Sequence, residues 1–153
     1  TRQTVYSLLP SPWILIARWI FRNGELRKAI DGRANLILPE DVISFIPHLS
    51  GCMFAVRTES IKAIGGFDER YFMYMEDIDI SRALQRIGHI AYCPTAIVRH
   101  EHGAASYRSP RMFAAHVVSA CRYFAKWGVG LEPHEHEIYI SAKEFVDRSK
   151  VAK

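Results

Sequence analysis

The chain has 153 residues, 49% hydrophobic and 24% charged, which fits one globular domain or part of one and excludes an intrinsically disordered chain. Its 20 basic and 16 acidic side chains leave a net charge of +4, too weak to imply a nucleic-acid partner. Cys52, Cys93 and Cys121 are odd in number, widely spaced and contain no CxxC pair, so a reducing compartment is expected and a disulfide framework is not.

Residues 1–10 read as irregular. The uncharged run over 3–17 contains Pro10 and Pro12 and falls short of the ~20 apolar residues a spanning helix needs. Ser11 followed by Pro12 is a helix start, with Ser as N-cap and Pro in the first turn. The helix runs over 13–21, WILIARWIF, and ends near Asn23-Gly24. Two readings stand for it: packing on the body, or lying in a membrane interface, where Trp and Arg suit the headgroup zone. Residues 24–49 are mixed in pattern, broken by Pro39 and Pro47, and read as loop-rich. SGCMFAVR, 50–57, reads as a short buried strand. Thr58 is a good N-cap for a helix over 59–64, stopped by Gly65-Gly66.

After an aromatic stretch over 67–75 comes the clearest element, a helix over 77–87. Ile80, Ala83, Leu84 and Ile87 share one face, acidic Glu76, Asp77 and Asp79 stand at its start, and Arg82 and Arg86 lie toward its end. Residues 89–93 and 96–99 read as two short strands around Pro94. A polar loop over 100–110, a helix over 112–127 and a polar tail with a further helix over 141–150 complete the chain. The expectation is an α/β fold with about four strands, thin for a complete domain and suited to the back half of one. The organisation expected is an apolar, basic segment at 1–49, a central part at 50–127 and a polar tail at 128–153.

Two groups of residues could carry chemistry. Three carboxylates, Glu76, Asp77 and Asp79, fall within four residues at a helix start, where the macrodipole favours negative charge. Tyr71, Phe72 and Tyr74 just upstream could wall a sugar ring, and a carboxylate beside such a wall can act as a general base. The same residues also serve as plain helix capping. The second group is His100-Glu101-His102 after a strand, a placement that suits a metal ligand, although HxH alone is a weak signal.

From Ser50 to Ser106 the residues resemble the C-terminal half of family 2 glycosyltransferases, in particular rhamnosyltransferase-like members that build bacterial cell-surface polysaccharide. SGCMFAVR, the short helix, GGFDER, YFMYMEDIDI, the Arg-bearing helix, the strand ending in Pro94 and VRHEHGAAS follow the family's order and spacing. The resemblance implies a GT-A fold and inverting transfer from a nucleotide-diphosphate sugar to a glycan or lipid-linked acceptor, with Mg or Mn. It carries the catalytic base onto Asp77, with Glu76 beside it. It places Gly51, Phe67, Asp68 and Asp79 on the substrate-binding side, with Glu76 and Asp79 in support. It makes His100 a metal ligand. Cys52 stands where many members have Ala, and His102 where many have Gly.

The family also needs an N-terminal half that binds the nucleotide and supplies a DxD motif, and nothing ahead of Ser50 fits that. The chain opens on Thr1 and is expected to be the acceptor-side part of an enzyme, inactive without its other half. The setting implied is cytoplasmic, at the inner face of the plasma membrane, with peripheral membrane contact. Three rivals remain. A membrane- or partner-binding module would use Trp13, Trp19 and the helix over 112–127. A zinc protein would use His100, His102, Cys93, His134 and His136, whose spacing fits no closed four-ligand site. A glycosidase would use Glu76 and Asp77, which as neighbours rarely face each other across a substrate.

Overall fold

The computed structural model describes residues 8–21, 23–34, 43–99 and 109–130. The element order is α1 (Pro12–Ile20), α2 (Glu25–Ala34), β1 (Ser44–Phe45), α3 (Thr58–Ala63), α4 (Glu76–Gln85), β2 (Ala91–Tyr92) and α5 (Pro110–Trp127). This mixture of helices with few strands is consistent with an α/β chain. The expected helix over 141–150 and the loop over 100–108 lie outside the described residues.

Helix α1 forms as its caps dictate. The Ser11 hydroxyl accepts from the Ile14 N–H at 3.2 Å, Pro12 occupies the first turn, and the Phe21 N–H closes the other end on the Ala17 carbonyl. Helix α2 corrects the loop-rich reading of 24–49. Its polar sequence, ELRKAIDGRA, carries almost no apolar stripe, so periodicity cannot reveal it. Its stability comes from charge: Asp31 accepts from Arg18 at 2.9 Å and Arg27 at 2.7 Å, and Arg27 also donates to the Arg18 carbonyl. One carboxylate thereby ties α2 to α1.

Among the described residues the strands are fewer and shorter than expected. β1 and β2 pair antiparallel, Ser44 opposite Tyr92 and Phe45 opposite Ala91, and the Ile46 N–H continues the pairing onto the Ile90 carbonyl. Ile46 and Ile90 are buried there with Leu8, Leu49 and Tyr92 packed on them. Neither 50–57 nor 96–99 is a strand.

The reason at 50–51 is that side chains of α4 take the backbone donors a neighbouring strand would have taken. Asp77 Oδ2 accepts from the Gly51 N–H at 3.0 Å, and Ser81 Oγ from the Leu49 N–H at 2.8 Å. Gln85 donates to the Pro47 carbonyl at 2.7 Å and the Ile46 carbonyl at 3.3 Å. Residues 77, 81 and 85 are spaced by four and form one stripe of α4.

Helix α3 starts one residue earlier than expected, at Thr58. Arg57 takes the N-cap place and no side chain caps the helix there. Its end follows the sequence. Gly65 and Gly66 adopt φ of +83° and +82°, with the Gly66 N–H on the Ile61 carbonyl and the Gly65 N–H on the Lys62 carbonyl, a paired C-terminal closure only glycine takes without strain. Helix α4 begins at Glu76 and ends at Gln85, two residues short of the expected end, and α5 begins at Pro110.

The larger core joins three helices. Leu15 of α1, Tyr71 and Met75 before α4, and Ala120 and Tyr123 of α5 are buried together, with Ile78, Phe124 and Trp127 against them. Full burial of such side chains is worth roughly 1.5–3 kcal/mol each. Arg82 is 2% exposed, stacks 4.7 Å from the Trp127 ring and donates to the Tyr123 hydroxyl at 3.2 Å. No helix of the described residues is long and apolar enough to cross a membrane.

Candidate active site

The chain approaches α4 through two consecutive residues in left-handed backbone. Tyr74 has φ +68° and Met75, at the N-cap position, φ +67°. Neither is glycine, and each such residue costs of order 1–3 kcal/mol. The surrounding structure holds them: the Met75 side chain is buried in the core, and Ser119 of α5 donates to the Met73 carbonyl at 2.7 Å. The sharp turn sets Glu76 and Asp77, at the start of α4, against the inner face of α1.

Between them lies a cavity of about 250 Å³. Its walls are residues 8–10, the inner face of α1 (Ile14, Leu15, Arg18, Trp19), Arg27 of α2, residues 74–78, and His116 of α5. Two of the carboxylates singled out in the sequence, Glu76 and Asp77, stand on this wall.

Asp77 is held rigidly. Oδ2 takes the Gly51 N–H and Oδ1 takes the Ile78 N–H at 2.9 Å. A carboxylate offers about four acceptor positions, so a further hydroxyl can still donate to it. Gly51 packs closely on Asp77: a Cβ there would lie 3.4 Å from Asp77 Oδ2 and 3.5 Å from Asp77 Cβ, ordinary contact distances. The buried His48 imidazole, 2.7 Å from the Leu49 carbonyl, senses Asp77 through space. Burial lowers its pKa most, while the Leu49 carbonyl and Asp77 pull it back up.

Glu76 differs. Its Oε2 is closed off from solvent and has no hydrogen-bond partner among the described residues. Burial raises its pKa above the ordinary value, and the neighbouring Asp77 adds to the rise, partly offset by a backbone N–H.

Asp79 is turned toward α5. It is 3% exposed, and its oxygens accept from the Tyr71 hydroxyl at 3.1 Å, the Trp127 indole at 2.6 Å and Lys126 at 2.8 Å. It faces α5 and does not line the cavity. Lys126 also reaches Asp68 at 3.1 Å, and Arg70 holds Asp68 with two side-chain bonds that keep its carboxyl well below the usual range. Arg122 closes the group by donating to the Arg70 carbonyl. Phe67 is half exposed, its ring 6.3 Å from that of Phe54. Asp77, Glu76 and Gly51 therefore come together, Asp68 and Asp79 meet through Lys126, and His100 and His102 lie outside the described residues. Among the described residues no three His, Cys, Asp or Glu side chains are grouped so as to hold a metal ion.

Sequence reasoning missed His116. It sits on α5 in an otherwise apolar stretch, AAHVVSA, where an isolated histidine gives no signal. Only the packing brings it to the cavity.

No protein-family model matches the chain, and no solved structure matches it. Curated relatives do. The N-acetylglucosaminyl-diphospho-decaprenol L-rhamnosyltransferase of Mycobacterium tuberculosis is 42% identical over 79 residues, 50% of this chain and 26% of that protein. The rhamnosyltransferase WbbL of Escherichia coli K12 is 36% identical over 80 residues, 50% of this chain and 30% of that protein. The chain thus matches between a quarter and a third of each relative's length. Over half of its own length, it is similar to rhamnosyltransferases.

Proposed function

We propose that this chain is the acceptor-side part of an inverting glycosyltransferase of GT-A type. It would transfer a sugar, rhamnose or a similar hexose, from a nucleotide-diphosphate donor to a glycan or lipid-linked acceptor in cell-surface polysaccharide synthesis. The observation that carries this reading is Asp77: a carboxylate fixed by two backbone N–H groups, at the first turn of a helix, on the wall of a cavity it shares with Glu76. The relatives' names support the class of reaction.

Asp77 takes the proton of the acceptor hydroxyl as that oxygen bonds to the anomeric carbon of the donor. The bond from that carbon to the diphosphate oxygen breaks, and its electrons leave with the nucleoside diphosphate. Attack from the face opposite the leaving group inverts the configuration. General-base help of this kind is worth typically ~10²–10⁴ in rate. Gly51 and Ile78 aim the carboxylate, and the Tyr74 and Trp19 rings line the space a sugar would occupy. Asp79, with Asp68, fixes α4 and the preceding loop to α5 and so acts on the substrate through position rather than contact. Phe67 stays with the acceptor side of the same proposal.

Mg or Mn on the departing diphosphate, with His100 as one ligand, belongs to the proposal as well. So does a cytoplasmic, membrane-peripheral setting, supported by α1, whose outer residues Trp13, Ile16 and Ile20 are exposed while its inner ones line the cavity. Residues 1–153 alone are expected not to transfer sugar.

The test uses the full-length protein with labelled UDP- and dTDP-sugars and an N-acetylglucosaminyl-diphospho-lipid acceptor. Labelled product from the wild type, lost in Asp77→Asn, supports the reading. No transfer by the wild type from any donor removes it, and near-normal transfer by Asp77→Asn removes Asp77 from the base role. In a manganese titration of activity, His100→Ala should raise the half-saturating metal more than His102→Ala. The reverse order would move the ligand to His102.

A further inference from the structure

Buried polar atoms in a folded chain nearly always have partners, because an orphan forfeits its hydration for nothing. Three buried side-chain atoms lack one among the described residues: Glu76 Oε2, His116 Nδ1 and Gln85 Oε1. Gln85 still donates twice through its amide nitrogen. The other two belong to side chains that line the same cavity as Asp77, and they reach it from different helices.

His116 is held by its neighbours' rings. The Tyr74 ring stacks on the imidazole at 4.6 Å and 26°, and the Trp19 indole meets it edge-on at 5.2 Å and 85°. The strained Tyr74 backbone brings its ring to this place. Desolvation lowers the His116 pKa and so favours the neutral ring, in which Nδ1 can either donate or accept.

We propose that His116 is a substrate-positioning residue which, with Glu76, binds hydroxyl groups of the acceptor sugar next to the one that Asp77 deprotonates. This rests on the glycosyltransferase reading above. A hydroxyl both donates and accepts, so neighbouring hydroxyls of one sugar ring can satisfy a carboxylate oxygen and an imidazole nitrogen together. The occupant is the acceptor rather than the donor because Asp77, on the same wall, is the group that meets the attacking hydroxyl. Trp19 and Tyr74 supply the apolar faces against which a sugar ring can lie.

The test separates polarity from packing by two substitutions in the full-length protein. His116→Phe keeps an aromatic ring between Tyr74 and Trp19 but removes the nitrogen. His116→Asn removes the ring but keeps a polar atom near the Nδ1 position. The KM for the N-acetylglucosaminyl-diphospho-lipid acceptor should rise about tenfold in His116→Phe, the loss of one good hydrogen bond, and by less in His116→Asn. The donor KM should stay within about twofold of wild type in both. A thermal melt of each variant reports its packing separately. An unchanged acceptor KM in a folded His116→Phe that still transfers sugar overturns the proposal and leaves the glycosyltransferase reading standing. So does recovery in Phe with loss in Asn, which would make the ring's packing the whole of its role. Absence of transfer by the wild type would remove the reading and this proposal together.

Discussion

Glu76 and Asp79 lie one helical turn apart on α4, both carboxylates and both largely withdrawn from water, yet the chain treats them in opposite ways. Asp79 is surrounded by donors from α5 and the preceding loop. Glu76 lines the cavity, and its buried Oε2 has no partner among the described residues. The same contrast divides the helix as a whole. Ser81, Arg82 and Gln85 along its body are engaged with protein, whereas Glu76 and Asp77 at its start stand behind two strained residues on the cavity wall. The fold that satisfies Asp79 so fully leaves Glu76 Oε2 without a partner among the described residues.

The largest expected effect tests the cavity side. Asp77→Asn in the full-length protein should lower the transfer rate by ~10²–10⁴. Donor binding, measured by calorimetry, should stay close to wild type. A rate within a few-fold of wild type would erase the functional half of the contrast.

The protein side should answer in stability. Asp79→Ala leaves Lys126, the Trp127 indole and the Tyr71 hydroxyl without their shared acceptor, and should cost about 3–5 kcal/mol, read as a fall in the urea midpoint. A loss below about 1 kcal/mol would mean that the group is surface decoration. A smaller step follows in the stripe that grips 46–51. Ser81→Ala orphans the Leu49 N–H and should cost about 1–3 kcal/mol. An unchanged midpoint would show that water replaces the hydroxyl.

The smallest effect sharpens the comparison most. Folding raises the Glu76 pKa above its usual 4.5, so the folded state holds that proton more tightly than the unfolded state does. Stability from this source is fully present below pH 4.5 and is lost as pH rises through the folded pKa. Glu76→Gln cannot ionise. Its stability relative to wild type should therefore improve from pH 4 toward pH 7, by less than the Ser81 effect. A difference that stays flat with pH would place Glu76 in ordinary solvent.

How much of this was legible beforehand depends on the kind of force involved. Helices with an apolar stripe or clear caps, α1, α4 and α5, could be read because local rules and tertiary packing agree there. Helix α2 could not, since Asp31 and two arginines hold it where no stripe exists. The strand expected over 50–57 failed at its start because a run of apolar residues does not say what will take its hydrogen bonds, and at Gly51 it is α4 that does. Asp77 and Glu76 stand out in the sequence by their spacing, and the structure sets both on the cavity wall. Asp79 looked identical in sequence and proved to be a clasp, because its partners lie some 47 residues on, in α5. His116 carried no local signal at all.

The stripe on α4 also sets a limit on length changes. Four residues of helix advance about 6.0 Å and two residues of extended chain about 6.6 Å. A helix stripe can therefore keep step with a neighbouring chain over two or three pairings before the lengths drift apart. The pairings of 85 with 46–47, 81 with 49 and 77 with 51 use up that span, and the last of them holds Asp77. One residue inserted between Pro47 and Gly51 would throw the count out at its far end first. Asp77 would lose its backbone tether while the helix, the core and the clasp on α5 stayed whole, so this short loop works as a ruler for that carboxylate.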